Sequence, residues 1–349
     1  MTQKIETKRE LSLDIAKGIC IMLMVIGHSG CPDWMGRFIY MFHMPCFFFI
    51  SGILLNDKYL TDVKNGIIKK LKGYYFPFVK WSLIFLLLHN LFTYLHIYET
   101  KYSLQETIIR IVRVFTMTGS EQLLGGYWFL ISLTWASIGS ILFLGLLRKS
   151  NMLTYINILG GVIGSLLIAL VEHLFPFRLP NQFGSQTFLA LAFFLSGYLY
   201  NKAELRQSRY FECLWPLLLF VPVIASVFFN LSMFSSQTMS CLYFIIALSG
   251  TIGLIQLTKI FQYNKVMTLF NYIGNKTLYI LTFHFLSFKL VSYIFIRLKG
   301  LPITDLSLFP VLQDMNSWMW IIYTIVGIVV PLIIWELFYS LSKFRQKNK

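Results

Sequence analysis

Two apolar runs of membrane-spanning length stand end to end between Leu11 and Leu55, and each carries ionisable side chains that a lipid-facing helix excludes. The first reads LSLDIAKGICIMLMVIGHSG and the second FIYMFHMPCFFFISGILL, with only CPDWMGR between them. Asp14, Lys17 and His28 sit in the first run, and His43 sits in the second. A charge at mid-bilayer costs roughly 2.5–3.5 kcal/mol on insertion scales, so such groups face a polar cavity and work there. On a helix advancing about 100° per residue, Asp14, Lys17 and His28 fall within roughly 60° of one another, and about 16 Å of helix axis separates Lys17 from His28. One polar stripe therefore runs most of the way along an otherwise apolar helix.

The rest of the chain supplies the surroundings such a stripe needs. Of its 349 residues 56% are hydrophobic and 13% charged, whereas soluble domains carry about 25% charged residues. The mean hydropathy is +0.66. Runs near spanning length occupy 11–30, 36–55, 74–97, 127–147, 152–174, 186–201, 212–230, 237–258, 274–296 and 317–342. They predict an all-α, polytopic membrane protein with about ten transmembrane helices. No small-residue cleavage site follows the first run, so it is read as a retained helix and not a signal peptide. No polar stretch is long enough to bury a core of its own. Residues 1–349 are therefore expected to form a single integral-membrane domain with no separate soluble domain. Residues 103–117 are amphipathic, carry Glu106, Arg110 and Arg113, and are expected in the membrane interface.

The net charge of +15 would suggest nucleic acid in a soluble protein. In a membrane protein Lys and Arg collect on cytoplasmic loops, and no nucleic-acid partner is expected. With the N-terminus in the cytoplasm, 22 of the 30 basic residues fall inside; the 8 outside are Arg37, Lys101, Arg110, Arg113, Arg178, Lys289, Arg297 and Lys299. Both termini are then cytoplasmic. Lys17 lies toward the cytoplasmic side and His28 near the outer end of its helix. His43 enters the second helix from outside, so the two imidazoles are placed to share one outward-side pocket. The five cysteines show no CxxC or His-linked spacing, so neither a disulfide framework nor a metal site is expected. GxSxG and Walker signatures are missing too, which leaves serine-hydrolase and ATPase readings unsupported.

Four stretches carry more specific information: LDIAKGICIMLMVIGH, in which ten residues separate Lys17 from His28; FHMPCFFFISG at 42–52; GYWFL at 126–130; and IGNKTLYILTFHF at 273–285. In this order, over essentially the whole chain, they resemble the acyltransferase-3 family of integral-membrane O-acyltransferases. The resemblance implies transfer of an acyl group, usually acetyl from acetyl-CoA, to a hydroxyl of a surface glycan, glycolipid or other envelope molecule. It also implies the plasma (inner) membrane of a bacterium and glycan assembly or export partners.

His28 then stands where the family places catalysis, and histidine suits a general base because its pKa lies near operating pH. The alternative is a histidine that ties two helices together. Asp14 and Lys17 pair at i, i+3; Lys17 meets an anionic part of the donor while Asp14 positions it, or the two form a snorkelling interfacial pair. His43 orients the acceptor hydroxyl or assists the developing oxyanion, with Pro45 opening the helix beside it, or it is a packing residue. Ser51 and Gly52 read as a small-residue helix contact. The 56–78 loop holds Lys58, Lys64, Lys69, Lys70 and Lys72, suited to the phosphates of coenzyme A. The family often has Arg-x-x-Arg here; this chain has Lys69 and Lys72, point charges in place of bidentate forks. Topology and anionic lipid explain much of the same cluster. Trp128 stacks on a sugar or on the donor, or anchors at the interface. His284 is expected to bridge helices, Glu336 to be solvated, and His89 and His96 to be interfacial.

Two rival readings remain. One is a secondary transporter using Asp14, Lys17, His28 and His43 as a proton or substrate path, though no inverted repeat of the usual transporter kind is visible. The other is a non-catalytic assembly protein, which leaves the polar stripe without a use. Acyl-CoA hydrolysis separates enzyme from transporter.

Overall fold

The computed structural model describes residues 10–174, 185–234, 239–312 and 318–347. Lys4, Lys8, Arg9, Arg178 and Lys349, which contribute to the basic asymmetry, lie outside the described residues. Among the described residues the secondary structure is helical, with no strand.

Helices α1 (Leu11–His28) and α2 (Asp33–Ile53) form the opening pair. Then come α3 (Lys58–Thr61), α4 (Val63–Lys70) and a π-helical turn at Leu71–Tyr75 that leads into α5 (Phe76–Leu87). Next are α6 (His89–Tyr94), α7 (Leu104–Phe115), a 3₁₀ turn at Gln122–Tyr127 and α8 (Trp128–Lys149). The chain continues through α9 (Tyr155–Leu174), α10 (Ser185–Lys202), α11 (Arg209–Phe228) and α12 (Ser240–Phe261). It closes with α13 (Lys265–Gly274), α14 (Thr277–Lys299) and α15 (Met319–Lys347).

Eight of the described helices are long and apolar enough to cross a bilayer: α1, α2, α8, α9, α11, α12, α14 and α15. This is an integral membrane protein. Two of the ten expected spans fall short of that measure. Helix α10 has 18 residues but carries Ser, Gln, Asn and Lys at its ends. The 74–97 run breaks at Leu88, where α5 ends and α6 restarts. His89 supplies a physical reason. It is buried, not interfacial as expected, and a buried imidazole needs partners: Nδ1 lies 2.7 Å from Glu121 Oε2 and Nε2 is 2.9 Å from the Thr100 carbonyl.

Helix α7 forms over the stretch read as amphipathic. Ser103 caps it by accepting from the Glu106 amide, and Leu104, Ile108, Val112 and Phe115 present an exposed apolar stripe. Two lysines counted in the inside–outside balance are buried. Lys289 is buried and donates to the Leu306 and Leu308 carbonyls at 2.8 and 2.6 Å. Lys276 is buried beneath Tyr272 and Trp335, its ammonium 2.9 and 4.3 Å from their ring centroids. Glu336 is exposed, in keeping with a solvated group, and accepts a hydrogen bond from the Tyr272 hydroxyl.

Glycine decides how closely the central helices approach. A Cβ on Gly52 would collide with the Phe194 carbonyl of α10, and one on Gly197 with the Phe49 carbonyl of α2. The same reciprocal contact joins Gly18 of α1 to Gly274 of α13, a helix absent from the sequence-based reading. Bilayers provide no hydrophobic drive between helices, so small residues that let backbones touch hold such bundles together.

Candidate functional site

Two cavities lie along the polar stripe of α1. The first, about 230 Å³, is lined by Lys17 and Ile21 of α1, Phe47, Ile50 and Ser51 of α2, Gly73 and Tyr74 of the π turn, and Thr277 and Leu278 of α14. The second, about 370 Å³, is lined by His28 of α1, Tyr40 and His43 of α2, Gly126 and Trp128 beside the start of α8, and Asn230 and Ser232 after α11. Asp14, expected on the same face, lines neither. Lys17 opens into one cavity, and His28 and His43 share the other.

Lys17 pairs with Asp14 at 2.6 Å, and Asp14 is the more buried partner. The ion pair persists at a membrane-spanning helix because Lys17 reaches the cavity. Near that cavity the π turn inserts an extra residue into the helical ladder, a feature often found at functional sites. It brings Gly73 and Tyr74 to the wall. Lys72 immediately precedes Gly73, and both Lys69 and Lys72 remain exposed. The ammoniums of Lys58 and Lys69 each lie 5.0 Å from the Tyr59 ring centroid. Hydrogen bonding to Lys69, before any other influence, holds the Tyr59 phenol below the ordinary tyrosine value.

The second cavity holds an aromatic–imidazole chain. His28 lies 6.3 Å from Tyr40, and Tyr40 lies 5.5 Å from His43, between ring centroids. The Tyr40 hydroxyl donates to the Gly27 carbonyl at 2.8 Å, fixing α2 against the end of α1. His43 Nδ1 lies 2.7 Å from the Ile39 carbonyl. A carbonyl only accepts, so Nδ1 carries the proton and the neutral ring keeps its lone pair at Nε2. Helix α2 runs unbroken through Pro45, so the expected opening there is not seen. Trp128 meets Phe234 edge-on, with centroids 4.6 Å apart.

His284 stands directly behind this site. Its ring stacks on His28 at 5.6 Å. Its Nδ1 donates back to the Ile280 and Leu281 carbonyls of its own helix, while Nε2 is buried with no hydrogen-bond partner. It does not make the interhelical hydrogen bond expected of it. Tyr40 was missed in the sequence reading, although its place three residues before His43 puts the two on one helix face. Asn230 and Ser232 follow α11 in chain order, and no local pattern marks them. Among the described residues no group of three His, Cys, Asp or Glu side chains is arranged to hold a metal.

The family model of the acyltransferase domain of family 3 matches residues 10–336. Two curated relatives are similar to parts of the chain. The nodulation protein NolL of Mesorhizobium japonicum is 30% identical over 158 residues, 42% of this chain and 38% of the relative. The nodulation protein NolL of Sinorhizobium fredii is 26% identical over 188 residues, 48% of this chain and 47% of the relative. The chain thus spans less than half the length of these two relatives. No solved structure matches it.

Proposed function

The chain belongs to the acyltransferase-3 family, and from that premise we propose that it is a membrane O-acyltransferase. It takes an acyl group from acyl-CoA, acetyl-CoA first among donors, and delivers it to a hydroxyl of a cell-envelope glycan or glycolipid. The observation that carries this reading is the pair of cavities sharing one polar helix, with a cation in one and two imidazoles in the other. The donor occupies the Lys17 cavity, its phosphates near Lys69 and Lys72. The acceptor occupies the histidine cavity, where Trp128, Asn230 and Ser232 offer the aromatic face and polar groups that sugars use.

His28 takes the acceptor proton as the hydroxyl oxygen bonds to the acyl carbon. The carbon–sulfur bond breaks, its electron pair leaves on the thiolate of coenzyme A, and the proton held by His28 balances that thiolate. His43 Nε2 holds the acceptor hydroxyl in place. The Asp14–Lys17 pair keeps the donor's anionic portion at the far end. The 22-to-8 basic asymmetry supports a cytoplasmic N-terminus and a cytoplasmic 56–73 loop, with α10 and the α5–α6 segment completing ten spans. The bacterial relatives support a bacterial plasma membrane, and we read residues 1–349 as one membrane domain.

The test is substitution of His28 in an acetylation assay. A general base contributes about 10²–10⁴-fold, so His28→Ala and His28→Gln should both lose that factor at near wild-type thermal stability. Glutamine keeps a hydrogen bond but accepts no proton at neutral pH. An active His28→Gln protein would move the base to His43.

A further inference from the structure

The two cavities share three lining residues, Met24, Met44 and Leu281. Each comes from a different helix; α1 and α2 pass both cavities in the same sequence of positions, and α14 lines the first and reaches the second at Leu281. On α1 the order is Lys17, Met24, His28; on α2 it is Ser51, Met44, His43; on α14 it is Thr277 and Leu278, then Leu281. The cavities are therefore adjacent, and these three side chains stand between them. All three are largely buried and apolar. Leu281 fits because residue 126 is glycine: a Cβ there would lie 2.9 Å from Leu281 Cδ1.

Resting on the function proposed above, we propose that Met24, Met44 and Leu281 form an apolar gate that the acyl group crosses, and that their combined bulk sets the longest acyl chain transferred. The donor's anionic part is held at Lys17, and about 10 Å of α1 separates that residue from Met24. The reacting carbon must reach His28 past the partition while the charged remainder stays behind. Methionine has three rotatable bonds and fills irregular space adaptably, so two methionines yield to a small acyl group without helix movement. A longer chain has to displace all three side chains together.

The test uses purified full-length protein with acetyl-, butyryl- or hexanoyl-CoA and octyl β-D-glucopyranoside as acceptor probe, reading thiol release. Binding of radiolabelled acetyl-CoA is read separately. One methylene of fit in an apolar pocket shifts discrimination by about 10–200-fold. Met44→Ala combined with Leu281→Ala should therefore raise the butyryl-to-acetyl rate ratio by about tenfold or more. Met44→Phe should lower acetyl transfer by a similar factor and by more than it weakens acetyl-CoA binding, because Met44 lines the end of the donor cavity away from Lys17. Circular dichroism and gel-filtration elution monitor folding, and the alanine pair stands in if the phenylalanine variant fails to fold. An unchanged chain-length ratio in the alanine pair, or full acetyl transfer by folded Met44→Phe, overturns the gate while wild-type transfer leaves the enzyme reading intact. Wild-type protein that releases no coenzyme A overturns the acyltransferase reading, and the gate with it.

Discussion

Helix α2 and helix α15 are opposites. By mean hydropathy α2 is the least apolar of the eight spanning-length helices and α15 the most; yet the most apolar stretch of α2 is 72% buried and that of α15 only 22%. Helix α11, also strongly apolar, is 11% buried. In water the most apolar segment goes inside. In a bilayer lipid competes for it, and the interior is kept for helices with small or polar residues. Helix α8 is as apolar as α11 yet well buried, because its first turns line both cavities. Reduced hydropathy in a spanning helix thus locates the candidate site better than high hydropathy locates the fold.

This contrast between centre and rim can be broken by experiment. The largest effect should come from Gly52→Val, which drives a side chain into the Phe194 backbone. Overpacking costs about 1–3 kcal/mol and more where backbone must shift, so the detergent-purified protein should be lost or should melt far earlier. Gly164→Val on α9, where a Cβ meets nothing within 4 Å, should leave thermal stability unchanged. Equal sensitivity at the two positions would erase the distinction.

A middle-sized effect is expected at Thr282, whose hydroxyl lies 2.7 Å from the buried Tyr127 hydroxyl. Thr282→Val strands that phenol, at about 1–3 kcal/mol for an unsatisfied buried group. A thermal midpoint equal to wild type would show that water replaces the threonine. Smaller still is the electrostatic test. Lys69→Glu with Lys72→Glu should raise the apparent KM for acetyl-CoA by the equivalent of about 1–2 kcal/mol and leave kcat nearly unchanged. The same reversal at Lys343, exposed on α15, should not; a matching rise there would assign the effect to overall charge. Least of all, Leu217→Ala on the exposed face of α11 should stay within about 0.5 kcal/mol of wild type.

The centre was legible in the sequence for a definite reason. Asp14, Lys17, His28 and His43 interrupt apolar runs, and helical periodicity alone puts the first three on one face. The 74–97 run was not legible, because its break depends on His89 finding Glu121 thirty-two residues away. Helix α13 escaped notice because much of what holds it is tertiary, its Gly274 lying against the α1 backbone at Asp14. His284 was visible as a residue, but its stacking on His28 joins segments separated by most of the chain. Lys276 and Lys289 were counted only as inner and outer charges, since nothing local announces their burial against Trp335 or the Leu306 carbonyl.

The reciprocal glycine contacts of α1 with α13 and of α2 with α10 have a kinetic consequence. Backbones that touch have no slack, so the helices bearing Lys17 and His43 form a stiff frame whose soft parts are side chains. Rotamer changes take picoseconds to nanoseconds in exposed residues and longer in buried ones such as Met24 and Met44, while collective helix motions take microseconds to milliseconds. A passage opened by methionine rotamers therefore resets far faster than a turnover of about 10 s⁻¹, the median for enzymes. The measured kcat would then report the chemistry at His28 or the departure of products, and raising membrane viscosity should leave it unchanged.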